Sequence, residues 1–246
     1  MRVLITNDDG INSEGIKSLA EIFREKHDVW VVAPDKEQSA CSHKLTLHEP
    51  LRLTEHDTQV YSLDGTPTDC VYMAVHHLMP EKPDVILSGI NRGPNLGDDI
   101  SYSGTVAAAL EARVLKINSI AISVTGFENI RWDTSSLVAL EMAEKLEKVN
   151  SGEVLLLNVN VPLDMTPDGI KYKYCKLGKR NYKQFIVERK DPRGKTYYWI
   201  GGDAMGVEKI DNCDIEATNG GFVSVTPISI DSTDYKALEK LENYLK

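Results

Sequence analysis

Short apolar runs recur along the chain: RVLIT (2–6), DVWVVAP (28–34), PDVILSG (83–89), INSIAISV (117–124) and EVLLLNVNV (153–161). Each is the length of a strand and too short for a helix. None alternates cleanly between apolar and polar residues, which points to strands buried on both faces. Segments with helical periodicity lie between them. After the first run, Ser13 and Glu14 open a helix whose inner face is Ile16, Leu19, Ala20 and Phe23, at i, i+3, i+4 and i+7. GTPTDC opens another: Thr66 is the N-cap, Pro67 takes the first helical position and Asp69 completes a capping box. Its predicted inner face is Val71, Ala74, Val75 and Leu78. VAAALEARVLK (106–116) and DTSSLVALEMAEKLEKV (133–149) are two more, the latter capped by Asp133 with Ala139, Met142, Ala143 and Leu146 inside. Strand and helix in alternation predict an α/β fold: a Rossmann-like, doubly wound, mainly parallel sheet.

The texture changes beyond about residue 166. IKYKYCKL, NYKQFIVERKDPRGKTYYWIGG and GGFVSVTPISI read as β-hairpins with Gly and Pro turns, and TDYKALEKLENYL closes the sequence as a helix. Residues 44–63 alternate and read as half-exposed strands. The predicted organisation is a Rossmann-like core over 1–165 and a β-hairpin arm, closing strand and terminal helix over 166–246, packed as one structural domain. The arm, rich in Lys, Arg and Tyr, is either a solvated hairpin or a device that embraces a second subunit.

The net charge of −9 over 246 residues argues against indiscriminate binding to nucleic acid polymers or acidic membranes. Cys41, Cys70, Cys175 and Cys213 form no C-x-x-C pair and no zinc spacing, so they read as thiols of a reducing compartment. With no signal-peptide pattern and no apolar run of spanning length, a cytoplasmic location is expected.

In an open parallel sheet, ligands bind beyond the carboxyl ends of the strands. The residues that fall there are Asn7, Asp8, Asp9 and Gly10 after the first run, Asp35, Glu37 and Ser39 after the second, and Ser88, Asn91 and Asn95 around the end of the third. All candidate ligands are oxygen donors, which suits Mg²⁺, Mn²⁺ or Ca²⁺. Adjacent carboxylates at Asp8 and Asp9 repel one another. A divalent cation would neutralise them, with Ser39 and Asn91 completing part of a shell; a single helix cap would need only one acid. Gly10 allows the turn that turns both toward one ion. Ser103, Gly104 and Thr105 start a helix whose free amides and dipole make an anion site. Neither G-x-G-x-x-G after the first strand, nor a P-loop, nor G-x-S-x-G occurs.

The blocks ITNDDGINSEGI, VVAPDKEQSA, GTPTDC and LSGINRGPNLGDDISYSGTVAAALEA resemble, in order, the motifs of the SurE family, the survival protein E nucleotidases. The resemblance implies a metal-dependent phosphatase acting on nucleoside 5′-monophosphates, often on 3′-monophosphates and short polyphosphate as well. It implies one divalent cation per subunit on Asp8, Asp9, Ser39 and Asn91, with Asn95, Ser103, Gly104 and Thr105 on the substrate side. It also implies a C-terminal arm exchanged between subunits in a homodimer or homotetramer. Asp8 and Asp9 are then the catalytic acids, and His43 is a candidate proton donor to the leaving group, or else an edge histidine. Alternatives are a receiver-like Mg²⁺-binding signalling module and a non-catalytic nucleotide-binding protein. The first lacks its acceptor aspartate, since the third parallel strand ends in Ser, Gly and Asn.

Overall fold

The computed structural model describes residues 1–149 and 152–245. Its centre is a nine-stranded sheet. Strand β1 (Arg2–Thr6) leads through helix α1 (Glu14–Arg24) to β2 (Asp28–Pro34), then to the antiparallel pair β3 (Leu53–Asp57) and β4 (Val60–Leu63). Helix α2 (Pro67–Met73) carries the chain back to β5 (Val85–Arg92) on the other side of β1. Helix α3 (Gly104–Val114), β6 (Asn118–Val124), α4 (Trp132–Lys148) and β7 (Leu156–Val161) follow. From β4 to β7 the neighbours are parallel, in the order β4-β2-β1-β5-β6-β7. The chain reverses its winding between β1 and β5, and a crevice opens there at the carboxyl edge.

The period-two alternation of buried strands sorts the core onto two faces. Val3 and Ile5 of β1 pack with Ile16, Leu19 and Phe23 of α1 and Val138, Met142 and Leu146 of α4. Leu4 faces the other way, with Val71 and Ala74 on the α2 side and Ala108 and Ala112 of α3. The small residues of α3 let it lie close: Val106 to Ala109 are all buried. The Thr66–Asp69 capping box forms as read from the sequence, with Thr66 Oγ1 accepting from Asp69 N at 3.2 Å and Asp69 Oδ2 from Thr66 N at 2.9 Å.

Several expectations are corrected. Strand β5 runs on to Arg92 instead of ending at 89; its register with β6 shifts between Ser88 and Asn91, so Asn91 sits on the strand's irregular end. Residues 44–52 form no strand, because only 53–57 and 60–63 find a sheet partner. Helix α2 widens into a π-helical turn at Ala74–Leu78, which leaves Leu78 half-buried. Asp133 lies inside the first turn of α4, behind an N-cap at Arg131, where its charge still suits the helix dipole. The segments read as hairpins at 170–177 and 220–230 are instead single strands. β8 (Tyr172–Tyr174) lies parallel to β11 (Val223–Pro227), and β11 is antiparallel to β7, extending the main sheet. Between them β9 (Arg180–Lys190) and β10 (Thr196–Val207) form a hairpin that, among the described residues, pairs only with itself. Helix α5 (Asp214–Asn219) has no counterpart in the sequence reading, and α6 (Tyr235–Tyr244) closes the chain.

Phe23 is fully buried between α1 and the sheet. Phe23→Ala is therefore expected to cost about 3–5 kcal/mol in urea unfolding. A loss under about 1 kcal/mol would show that α1 can close the cavity.

Candidate functional site

The turn after β1 is tied by Asn7. Its Oδ1 accepts from Gly10 N at 3.1 Å, and its Nδ2 donates to Gly10 O at 3.0 Å and Ser13 Oγ at 2.7 Å. Gly10 holds φ +93° with the backbone of Lys36 pressed against it, so a side chain has neither the conformation nor the space. This knot turns Asp8 and Asp9 out of the sheet at the crevice between β1 and β5.

Asp8 is buried against the start of α3. Its Oδ2 accepts from Thr105 N at 3.1 Å and its Oδ1 from Thr105 Oγ1. Gly104 makes the approach possible: a Cβ there would lie 2.9 Å from Asp8 Cβ and 2.8 Å from Cys41 Sγ. The helix N-terminus expected to take a substrate anion thus already holds a protein carboxylate. Thr105, read from the resemblance as a substrate-side residue, is fully buried, and its amide and hydroxyl both donate to Asp8. Ser103 caps α3, its Oγ accepting from Val106 N at 3.1 Å, and still lines the cavity.

Asp9 is half-buried, and its Oδ2 accepts from Arg92 N at 3.2 Å. Two neutral groups are oriented by bonds on their far sides. Asn91 gives Nδ2 to Gly93 O at 2.8 Å, leaving Oδ1 without a partner among the described residues, and Ser39 gives its hydroxyl hydrogen to Glu37 Oε1 at 2.7 Å, leaving lone pairs. Asp8, Asp9, Ser39, Asn91, Asn95 and Ser103 all line one cavity of about 290 Å³. His43 does not; its Nε2 lies 2.8 Å from Glu111 Oε2.

Behind the cavity is a set of buried amides that sequence reasoning missed. Asn95 N donates to Asn160 Oδ1 at 2.9 Å, and Asn95 O accepts from Asn158 Nδ2 at 2.8 Å and Asn160 Nδ2 at 3.0 Å. Asn95 Nδ2 donates to Ser123 Oγ at 2.8 Å. The signal was present in NVN, which sets polar amides at i and i+2 on one face of an otherwise apolar strand. Asp214, fully buried, gathers the amides of Gly97, Gly178 and Ile215 at 2.7–2.9 Å and fixes the loop below the cavity. It too went unnoticed, because two of its three partners, Gly97 and Gly178, are remote in sequence.

Burial pushes Asp8 up to about 6, against the lowering effect of Thr105 and with the charge of Asp9 adding to the rise. Burial raises Asp9 as well, with Glu37 contributing and Arg92 opposing. Neither carboxylate has a cationic side chain in salt-bridge contact among the described residues. No group of three or more His, Cys, Asp or Glu side chains is placed to hold a metal among those residues. A carboxyl with a raised folded pKa binds more protons folded than unfolded. Its contribution to stability is therefore greatest in acid and declines between the unfolded value, about 4, and about 6. In chelator, the melting temperature of Asp8→Asn relative to wild type is expected to rise from pH 4.5 to pH 7.5. A difference that stays constant with pH would refute the raised pKa.

Comparison with known proteins gives concordant results. The family model described as "Survival protein SurE" matches residues 3–184. The chain is similar to the 5′-nucleotidase SurE of Geotalea uraniireducens, 43% identical over 246 residues and 99% of each chain. It is also similar to the 5′/3′-nucleotidase SurE of Proteus mirabilis, 42% identical over all of this chain and 96% of that one. The crystal structure of the SurE protein from Aquifex aeolicus superposes with a TM-score of 0.87 at 41% identity, covering both chains completely.

Proposed function

The chain belongs to the SurE family, and we propose that it is a 5′-nucleotidase that hydrolyses nucleoside 5′-monophosphates at the β1/β5 crevice with the help of one divalent cation. The Proteus mirabilis relative, named a 5′/3′-nucleotidase, extends the proposal to 3′-monophosphates, and the resemblance extends it to short polyphosphate. The observation that carries the site is the convergence of two carboxylates, Asp8 and Asp9, with the side chains of Ser39 and Asn91 on one cavity, with no cationic side chain in salt-bridge contact with either carboxylate among the described residues.

The donor set fits a hard cation. Asp8, Asp9, Ser39 and Asn91 would hold Mg²⁺ or Mn²⁺, with Ca²⁺ an alternative. When bound, the cation supplies Lewis-acid polarisation of the phosphoryl group and lowers the pKa of water. Asp8 acts as a fixed anchor, because Thr105 engages both of its oxygens. That argues against Asp8 as nucleophile or proton acceptor. Asp9 keeps Oδ1 free of hydrogen bonds among the described residues and is the better placed of the two to orient and deprotonate an attacking water. Ser103 Oγ, the second hydrogen of Asn95 Nδ2 and the amide of Gly104, which has no acceptor within its helix, are suited to the non-bridging phosphoryl oxygens. Arg92 is a cation in the cavity lining and would favour an anionic substrate. Thr105 is reassigned from substrate to Asp8, and His43, paired with Glu111, is left out of the chemistry.

The β9–β10 hairpin supports the reading of an arm that packs on a second subunit. Among the described residues it pairs only with itself, and the cross-strand neighbours Ile186 and Ile200 are 70% and 90% exposed beside Trp199. Ile200→Asp is expected to lower the particle mass measured by light scattering; an unchanged mass would remove the hairpin from the subunit contact.

Phosphate release from AMP or GMP tests the activity directly. Release is expected with Mg²⁺ or Mn²⁺ and not with chelator. Asp9→Asn is expected to lose about 10²–10⁴-fold in kcat with its circular dichroism and melting intact, the range of a general base. Wild-type turnover in that variant would mean that the chemistry lies elsewhere.

A further inference from the structure

Helix α3 buries one charged side chain that the chemistry does not use. Its buried positions are Gly, Thr, Val and Ala, except for Glu111, which is 9% exposed. A carboxylate so placed is costly without a partner. The partner is His43, whose Nε2 lies 2.8 Å from Glu111 Oε2. A carboxylate only accepts, so Nε2 carries the hydrogen in this pair. Neither residue lines the cavity. His43 stands at the surface, so the pair fixes an exposed segment to a buried point on the helix.

That segment carries Ser39. Residues 39–46 form neither helix nor strand, and Ala40 and Ser42 hold φ of 56° and 53°, a left-handed conformation that residues other than glycine rarely adopt. Contacts with the body keep the chain on this path. Before Ser39, Gln38 N donates to Asp8 O at 2.7 Å. After it, Ser42 N donates to Tyr102 O at 3.1 Å and the Ser42 hydroxyl to Ser101 O at 2.8 Å. Thr46 donates to Asp69 from its N at 2.8 Å and from its Oγ1 at 2.7 Å. Between these ties, Cys41 rests on Gly104 and His43 reaches Glu111. Gly104 and Glu111 are two helical turns apart, about 10 Å along the axis and on one stripe of α3. The segment therefore lies along that stripe.

The same helix holds Asp8, through the amide and hydroxyl of Thr105. Asp8 and the segment of Ser39 are thus referred to one rigid element. The bond from Ser39 to Glu37 orients the hydroxyl, but Glu37 is two residues away on the same loop and cannot place the loop itself.

We propose that His43 and Glu111 form a latch that positions Ser39 relative to Asp8, so that the cation site is set before the cation arrives. The inference rests on the divalent-cation reading of the cavity and adds two positioning residues outside its ligand set. The latch takes no part in proton transfer; it acts through Ser39.

Calorimetric titration with Mn²⁺ alone tests the latch without reference to turnover. Wild type is expected to bind Mn²⁺. His43→Ala and Glu111→Ala are each expected to weaken binding by about tenfold, the low end of what supporting residues around a metal contribute. Glu111→Gln keeps an acceptor for His43 and is expected to retain wild-type affinity. In a Ser39→Ala background, His43→Ala is expected to add no further loss, because the residue it positions is gone. Melting in chelator reports on the fold separately; His43 is exposed, so its variant carries the test even where Glu111→Ala does not fold. Unchanged Mn²⁺ affinity in folded His43→Ala overturns the latch and leaves the nucleotidase reading intact. A loss that persists in full in the Ser39→Ala background overturns it too, since the pair then acts by another route. Absence of Mn²⁺ binding by wild type would instead overturn the cation reading, and the latch with it.

Discussion

A buried carboxylate seated on the N-terminus of a helix is the contact on which the site depends. Asp8 closes the end of β1 onto α3 by accepting the amide and hydroxyl of Thr105. The helix dipole and its unpaired amides favour a negative charge there. Burial opposes it, and burial prevails in the raised pKa. The fold therefore keeps a charge where it is poorly solvated and leaves it incompletely neutralised. Gly104 is part of the same contact, since any side chain would push the carboxylate away. Position in the sheet supplies the rest: the reversal of winding between β1 and β5 brings Asp9 and Asn91 to the same crevice.

The cavity is assembled from loops that are themselves tied by buried polar groups. Asn95 is held through its backbone and side chain by Asn158, Asn160 and Ser123, and Asp214 gathers amides from the segments around Gly97 and Gly178. A hydrogen bond between buried polar groups specifies position more sharply than apolar packing does, because a displaced partner leaves an unsatisfied donor or acceptor. Two neighbouring strands, β6 and β7, thus serve the site although neither contributes a lining residue.

How much of this could be read in advance follows from how local each determinant is. The buried strands, the Thr66–Asp69 box and the Gly10 turn are encoded within a few residues, and they appeared where the sequence put them. The carboxylate pair was legible for the same reason, as two adjacent charges that a strand cannot accommodate. The partner of Thr105 lies 97 residues away in sequence, and no spacing rule reports on it. The same distance effect hid Asp214, whose accepted amides come from positions 117 and 36 residues off. The single strands β8 and β11 looked like hairpins because their Gly and Pro neighbours mark turns. Local turn chemistry does not say which strand a segment will pair with, and here β11 took the free edge of β7 and β8 the outer edge of β11.

Asp99 belongs to two surfaces at once. It lines the cavity, and it also accepts from Arg180 Nη1 at 2.9 Å and from Tyr182 Oη at 2.7 Å, at the root of the β9–β10 hairpin. The wall of the cleft and the base of the projecting hairpin are therefore one mechanical joint. A shift in how the hairpin leaves the body is a shift in a side chain that borders the cleft, so the shape of the cleft and the attitude of the arm cannot drift apart independently as the sequence changes.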